Sequence, residues 1–239
     1  KKENKLPKII IVVHMSGLSC DMINIKKLSK IYNFKIIEDA SHAIGGIYNN
    51  FKVGSCEYSD VTVFSFHPVK IITTAEGGMI VTNSKKIFSS AKSYHSHGIT
   101  RDKTKFLKKS DDSWYYEQQD LGYNYRMNEL QAALGLSQMS KIDYFLKRRQ
   151  EIAKTYDELL VDCPLICPKI SENVFSAFHL YIIRINNSKS KNIHSVVFKK
   201  LRENGIYVNL HYIPIYRHPY YKKFKFRKKD YPKAEIYYK

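Results

Sequence analysis

The chain has 239 residues, enough to bury a sizeable core in one large domain or in a large and a small one. Hydrophobic residues make up 44% and aromatic residues 13%, a balance that excludes a disordered or collagen-like protein. The formal charge of +18 at pH 7 could attract a polyanion, but the lysines are spread along the entire sequence, so we predict no nucleic-acid partner.

The first part of the chain predicts a parallel crossover. Residues 8–14 (KIIIVVH) are apolar and β-branched, as expected of a buried parallel strand, and residues 21–33 place apolar side chains at helical spacing. Residues 34–40 (FKIIEDA) predict a second buried strand. Strand, helix and strand are completed within about thirty residues, the size of a parallel crossover unit, so we predict an α/β fold with a mostly parallel sheet.

The next predicted strand leads to an isolated lysine. Residues 60–66 alternate apolar and polar side chains, His67-Pro68 ends the strand because proline cannot continue a ladder, and Lys70 follows. Glu76-Gly77-Gly78 marks a second turn before a short strand at 79–82. Removal from water lowers the pKa of a lysine and makes its amine a nucleophile toward aldehydes, although an isolated lysine is more often an ordinary surface charge.

The middle of the chain predicts two helices around an irregular segment. Residues 84–95 are expected to be helical, and residues 97–125 are polar and irregular, as in an exposed or partner-contacting loop. Asn128 and Gln131 predict a capping box that opens one long helix with an apolar stripe, ending near Leu160. A helix of that length suits a connector between domains.

Beyond this connector the sequence favours a smaller α+β domain. We expect short strands within 178–185, a helix over 193–203, a strand over 206–212 and a helix at the end of the chain. The predicted organisation has three parts: residues 1–127 within a large domain, residues 128–160 as the connecting helix, and residues 161–239 as an incomplete small domain.

Cysteine usage and the lack of long apolar runs bear on location. Cys20, Cys56, Cys163 and Cys167 do not have the spacing of zinc ligands, so we predict no metal site and reduced thiols in a cytoplasmic protein. No apolar run is long enough to span a bilayer, and we predict no membrane partner. The first residue is Lys1, and we expect a missing N-terminal portion without a secretory signal.

Asp39 stands at the end of the second predicted strand. Ligands of open α/β sheets bind beyond the carboxyl ends of the strands, and a carboxylate there can keep a pyridine nitrogen protonated. Pyridoxal phosphate (PLP) needs such a partner to act as an electron sink. Asp39 alone is more often a helix cap or a solvated strand end, and its combination with Lys70, at the end of a later strand, makes it a stronger candidate for a ligand site.

Five segments together resemble the sugar aminotransferases of the DegT/DnrJ/EryC1/StrS family. They are EDASHAIG (38–45), SFHPVKIITTAEGG (65–78), His97-Gly98, GYNYRMNELQAALG (122–135) and the His-Tyr-x-Pro segment within 208–221. The resemblance covers nearly all of the chain. It implies the fold type I of PLP-dependent transferases, with a large mostly parallel-sheet domain that lacks its N-terminal part and a smaller, incomplete α+β domain.

The resemblance also implies roles for individual residues. Lys70 matches the lysine that binds PLP covalently and then moves the proton between substrate and cofactor. Asp39 matches the partner of the pyridine nitrogen, His42 lies where the family has a His or Gln beside the ring, and Ser65 matches a hydroxyl that binds the phosphate. Judged alone, Ser65 could be an ordinary strand serine and His42 could cap a turn.

Three further residues point to the neighbouring subunit and to the substrate. Asn124 matches an asparagine that reaches the phosphate in the other subunit, which implies a homodimer with a shared active site. His211 and Tyr212 are candidates for the substrate side. Asn124 could instead stabilise its own loop, and His211 could be structural.

The implied reaction moves an amino group from an amino acid, with glutamate as the expected donor, to the C4 keto group of a UDP-linked 4-keto-6-deoxy-N-acetyl sugar. Another nucleotide-linked keto sugar is an alternative, as is a truncated, catalytically silent assembly module. The basic aromatic stretch at 216–233 leaves single-stranded nucleic-acid binding as the weakest hypothesis.

Two departures from the family are Ala75, where glycine is common, and Ile71, where proline is common.

Overall fold

The computed structural model describes residues 6–186 and 193–238. Within them the chain divides into two compact units, one of residues up to 158 together with 169–181, the other of 159–168 together with the residues from 182 onward. No helix of this described part is both long and apolar enough to cross a membrane. The predicted boundaries at 127 and 160 stay predictions.

The regular elements alternate in the first half of the chain and shorten afterwards. In chain order they are β1 (Ile9–Val13), α1 (Met22–Tyr32), β2 (Lys35–Asp39), β3 (Ile47–Tyr48), β4 (Phe51–Lys52), β5 (Val61–Ser65), β6 (Gly78–Val81), α2 (Lys85–Tyr94), β7 (Ile99–Thr100), β8 (Glu117–Gln118), α3 (Glu129–Met139), α4 (Ile142–Leu159), β9 (Leu165–Ile166), β10 (Val174–Phe175), β11 (Arg184–Ile185), α5 (Ile193–Glu203) and α6 (Pro232–Tyr238).

The first unit is built on a four-stranded sheet in the order β1-β2-β5-β6. β1 pairs with β2 and β2 with β5 in parallel, and β6 closes the edge antiparallel to β5. The predicted α/β sheet is therefore confirmed. Because the parallel strands run in one direction, the ends of β2 and β5 and the loops that follow them meet at one edge of the sheet.

One face of the sheet is buried and the other is open at β1. Val12, Ile36 and Met22 belong to one apolar cluster, which joins β1 and β2 to α1. The side chains of Ile9 and Ile11, on the opposite face of β1, are 53% and 64% exposed. The prediction that β1 is a fully buried strand is therefore wrong for one face, because apolar residues that alternate between faces are covered only where another layer packs.

Polar residues interrupt the buried face at the end of β2. Glu38 is 5% exposed and accepts hydrogen bonds from the Ser59 hydroxyl and, at 3.2 Å, from the Thr62 hydroxyl. Its other carboxylate oxygen lies 2.7 Å from Nε2 of His14, which is fully buried. Burial lowers the pKa of His14, but the Cys20 side chain and the Glu38 carboxylate outweigh burial and raise the pKa to about 9. The core of this unit therefore contains an ion pair.

The predicted helix over 128–160 is two helices. Asn128 and Gln131 form the predicted capping box at the start of α3, and the helix ends at Ser140. The Ser140 hydroxyl donates to the Ser137 carbonyl at 2.9 Å, a local bond that competes with continuation of the helix, and α4 begins at Ile142. The apolar stripe is continuous in sequence, so the pattern alone could not show this break.

In the second unit the predicted helices are confirmed, and the predicted strand over 206–212 is wrong. Residues 206–210 form no regular structure, and the Val208 N–H bonds locally to the Ile206 carbonyl at 2.9 Å. Within the predicted 178–185 strands only β11 forms, paired with β9. A β-branched run needs a neighbouring ladder to become a strand, and the local bonds replace that ladder here.

A compact loop connects β5 to β6 and carries Lys70. The Thr74 N–H and the Thr73 hydroxyl both donate to the Phe66 carbonyl at 3.0 Å. Ala75 has φ of 64°, in the left-handed region that favours glycine. A Cβ on Gly77 would approach the Thr74 hydroxyl oxygen to 2.2 Å, so this second turn requires a glycine at 77.

We expect Ala75→Gly to raise the free energy of unfolding by about 0.5 to 1 kcal/mol, because it relieves the left-handed strain and loses only part of that gain to the entropy of glycine in the unfolded chain. Urea unfolding measures the change. Ala133→Gly within α3 is the matched control, since the same substitution in a helix should cost about 1 kcal/mol. Destabilisation by both substitutions would contradict the assigned backbone conformation at Ala75.

The ion pair of His14 and Glu38 predicts how stability depends on pH. The folded pKa of His14 lies above its ordinary value of 6.5, so its contribution is complete below about pH 6.5 and is lost as the pH rises through about 9. The pKa of Glu38 is lowered although burial opposes this, because His14 and Ser59 donate to the carboxylate, and its contribution is lost only in acid. We expect up to about 3 kcal/mol to disappear between pH 6.5 and 9.5.

Urea unfolding across that range measures this loss, and His14→Gln is the comparison. The variant should be less stable near neutral pH and should show a flatter profile, because glutamine does not titrate. Parallel profiles for the two proteins would contradict the prediction.

Candidate functional site

Asp39 and Ser65 lie on the same face of the sheet at its carboxyl edge. Asp39 is the last residue of β2 and pairs in register with Val63, and Ser65, two residues beyond Val63, is the last residue of β5. Side chains two residues apart on a strand share a face. The sheet therefore brings together a carboxylate and a hydroxyl that the sequence assigned to one cofactor.

A turn of four residues places Lys70 beyond the end of β5. The Lys70 N–H donates to the His67 carbonyl at 2.9 Å, and Pro68 occupies the second position of the turn, where its fixed φ is favourable. Ile71 and Ile72, which follow Lys70, are 5% and 3% exposed and anchor the loop in the core. The lysine is therefore fixed at its base by the packing of its neighbours.

The environment of Lys70 lowers the pKa of its amine. Its side chain is half-buried, and this burial lowers the pKa of the amine, while the negative charge of Asp39 raises it by less. The contribution of Asp39 shows that the carboxylate and the amine lie within electrostatic reach of each other. Sequence reasoning assigned Lys70 and Asp39 to one site, and the joint role of the two residues stays a prediction.

One oxygen of the Asp39 carboxylate accepts a hydrogen bond from the backbone. Its Oδ1 accepts the Ser41 N–H at 3.1 Å, which leaves Oδ2 for a second donor such as a pyridinium N–H. Ser65 Oγ accepts the His67 N–H at 3.4 Å, and its hydroxyl proton can still be donated to an anion. Both side chains can therefore make the bonds that the resemblance implies.

His42 packs against a histidine that sequence reasoning missed. The ring centroids of His42 and His179 are 4.4 Å apart with the planes tilted by 43°, and His42 Nδ1 accepts the Ser16 N–H at 3.3 Å. The segment around His179 is tied to the loop after β1, because the Leu180 N–H donates to the Ser16 carbonyl at 3.2 Å. Only a long-range contact places His179 here, and no local sequence signal indicates it.

Asn124 is exposed at the point where two backbone segments, residues 96–98 and residues 122–124, pair with each other. Ser96 and Asn124 form an isolated antiparallel bridge, and the His97 N–H donates to the Tyr123 carbonyl at 2.8 Å. A Cβ on Gly122 would lie 2.3 Å from the Gly98 nitrogen, so the crossing requires glycine at both positions. The two separate sequence segments that contain His97-Gly98 and Gly122 thus form one structure, which presents Asn124 to the outside.

His211 and Tyr212 lie in the second unit, with ring centroids 4.4 Å apart. Their part in substrate binding stays a prediction. Within the described residues, no group of three or more His, Cys, Asp or Glu side chains is arranged to hold a metal ion.

The residues fit two parts of PLP. An amine whose pKa is lowered suits the aldehyde, and a nearby carboxylate suits the ring nitrogen. Two cavities of about 10 and 170 Å³ lie in the first unit, and neither is lined by Lys70 or Asp39. The fit is therefore argued from the chemistry and placement of these side chains.

Comparison with known proteins gives the family. The profile of the DegT/DnrJ/EryC1/StrS aminotransferase family matches residues 2–239. The UDP-4-amino-4,6-dideoxy-N-acetyl-beta-L-altrosamine transaminase of Campylobacter jejuni is 38% identical over 223 residues, which are 93% of this chain and 56% of that protein.

Solved structures agree with the fold. Helicobacter pylori PseC, an aminotransferase involved in the biosynthesis of pseudoaminic acid, superposes with a TM-score of 0.84 at 35% identity, over 96% of this chain and 58% of that one. The PLP-form of Spr1654, a putative sugar aminotransferase from Streptococcus pneumoniae, gives 0.85 at 29% identity over 97% and 61%. The chain thus spans less than two thirds of the length of these proteins. Because the family profile covers almost every residue, the chain belongs to the DegT/DnrJ/EryC1/StrS aminotransferase family.

Proposed function

We propose that this protein is a PLP-dependent aminotransferase of nucleotide-linked sugars. The observation that carries the proposal is the half-buried Lys70, whose pKa is lowered and which lies within electrostatic reach of Asp39 at the carboxyl edge of the sheet. A surface lysine needs neither burial nor an acidic partner at a strand end. The pair is the smallest set of groups that PLP chemistry requires.

The proposed roles follow from the chemistry of each side chain. PLP, when bound, supplies the electron sink that allows an amino group to pass from donor to acceptor. Lys70 Nζ, whose pKa is lowered by burial, is the proposed point of covalent attachment, and it would then take and return a proton at the reacting carbon. Asp39 stabilises positive charge on the ring nitrogen, Ser65 donates to the phosphate, and His42 orients the ring.

The proposed substrate is a UDP-linked 4-keto-6-deoxy-N-acetyl sugar, with glutamate as the amino donor. Its support is the name of the Campylobacter jejuni relative, which describes a UDP-linked N-acetyl sugar that carries its amino group at C4. His211 and Tyr212 are the proposed contacts on the substrate side. We further propose that the enzyme acts in the cytoplasm.

Lys70→Ala tests the assignment of the catalytic lysine. We expect PLP to give a visible absorption band with the wild-type protein, and glutamate to remove that band. The variant should lose the band and at least about 10³-fold in transamination rate, because the covalent amine and the proton carrier are the same atom. Lys92→Ala, at an exposed lysine of α2, is the control and should behave as wild type. Turnover by the Lys70→Ala protein would end the assignment, and a wild-type chain without the band would favour the silent assembly module.

A subunit-mixing experiment tests the proposed homodimer. Asn124→Ala should weaken PLP binding if Asn124 reaches the phosphate of the partner subunit. Lys70→Ala and Asn124→Ala proteins, denatured together and refolded, should recover about a quarter of wild-type activity, because half the dimers are mixed and each mixed dimer has one intact site. Activity equal to the average of the two variants would show that Asn124 acts within its own subunit.

A further inference from the structure

A buried polar cluster lies on the face of β2 opposite to Asp39. It consists of His14, Glu38, Ser59 and Thr62, whose exposures are 0%, 5%, 6% and 0%. Glu38 and Asp39 are consecutive residues of one strand, so their side chains point to opposite faces. The proposed catalytic mechanism uses Asp39 and gives the cluster behind it no role.

His14 contacts both of these strand residues. Its imidazole Nε2 lies 2.7 Å from the Glu38 carboxylate, and its backbone N–H donates to the Asp39 carbonyl at 3.0 Å. Nδ1 of the same ring lies 3.2 Å from the backbone nitrogen of Cys20. One residue at the end of β1 thus holds the last two residues of β2.

Glu38 is also held from the third strand. Thr62, its partner in the register of β5, donates to Oε1 at 3.2 Å, and the Ser59 hydroxyl donates to the same oxygen. The carboxylate therefore has partners on both neighbouring strands and little freedom to rotate. The Asp39 carboxylate, in contrast, is held through Oδ1 by Ser41, so its direction depends on the backbone at the end of β2.

Stability alone does not explain the cluster. Removal of two charges from water costs several kcal/mol per ion, and buried ion pairs replaced by apolar residues of similar volume often give proteins of equal or greater stability. An apolar strand end would therefore serve the fold as well. What the ion pair adds is a defined geometry, because its hydrogen bonds are satisfied in a single arrangement.

We propose that Glu38 and His14 are positioning residues for Asp39, holding the end of β2 so that the Asp39 carboxylate keeps its direction toward the ring nitrogen of PLP. The inference rests on the proposed function, since it assumes that Asp39 meets PLP. Neither residue touches the cofactor, and both act through the backbone of β2.

Titration experiments must take account of the neighbouring groups. The titratable and charged groups that surround the pair are Cys20 beside the imidazole, Asp39 on the opposite face, and Tyr48, Lys52, Glu57 and Tyr58 around the cavity of about 10 Å³ next to Glu38. All variants are therefore measured across the same pH series.

Glu38→Leu and Glu38→Gln distinguish the hydrogen bonds that the Glu38 side chain accepts from the space that it fills. Leucine fills the space without accepting hydrogen bonds, and we expect it to weaken PLP binding by about 10- to 100-fold and to move the pH midpoint of the visible band, because a displaced carboxylate stabilises the ring nitrogen less. Glutamine keeps an acceptor of the same length, and PLP binding should stay within about threefold of wild type. PLP titration of the apo protein measures the affinity, and spectra across pH give the midpoint.

Asp60→Ala is the matched control, because Asp60, just before β5, binds the start of β2, the end of that strand far from Asp39. The Asp60 carboxylate accepts the Ile36 N–H and the Lys35 amine, each at 2.9 Å, so its loss weakens the start of β2 without touching Asp39. We expect a lower melting temperature with unchanged PLP affinity and unchanged midpoint. This separates loss of stability from loss of positioning.

The outcomes are distinct. If Glu38→Leu does not fold, His14→Gln replaces it. This variant should fold, because glutamine can still hydrogen-bond in the core. It should shift both the PLP affinity and the pH midpoint in the same direction as predicted for leucine. Folded variants with wild-type affinity and midpoint would overturn the inference and leave the proposed function intact. A wild-type protein that gives no visible band with PLP would instead overturn the proposed function.

Discussion

The parallel ladder between β2 and β5 is the constraint on which the candidate site depends. Its register places Asp39 opposite Val63, so that Ser65 shares the face of Asp39 and the chain leaves β5 toward Lys70 at the same edge. A slip of one residue would turn Asp39 to the buried face and Glu38 to the open one. The ladder thus decides which of two adjacent carboxylates can meet a ligand.

The apolar pattern predicted the four strands of the main sheet and the helices α1 and α2, because the side chains that make each pattern are close together in the sequence. Residues 34–40 contain β2, and residues 84–95 contain α2, each with ends set by residues next to it, such as Ser84, whose side chain accepts the Ile87 N–H. The capping box of α3 was also readable, since all its contacts lie within four residues. Lys70 and Asp39 could be proposed because each closes or follows a strand of the same sheet.

Features that depend on distant contacts could not be predicted. The strand expected over 206–212 failed because strand formation needs a neighbour, and the sequence does not show whether one is present. His179 meets His42 across 137 positions of the chain, and the pairing of His14 with Glu38 joins two strands through a buried proton. In the sequence, Glu38 is an acidic residue without an evident partner, and the neighbouring Asp39 is the stronger candidate for a ligand site.

Burial beside a carboxylate, and not the number of basic residues, distinguishes Lys70 from an ordinary surface lysine. Its two successors, Ile71 and Ile72, are almost completely buried, and they draw the base of the lysine side chain out of water while the Pro68 turn directs it past the end of β5. An amine in that position loses hydration that no hydrogen bond fully replaces, so its charged form is disfavoured. The negative charge of Asp39 opposes this effect without cancelling it, so the pKa of the Lys70 amine stays lowered.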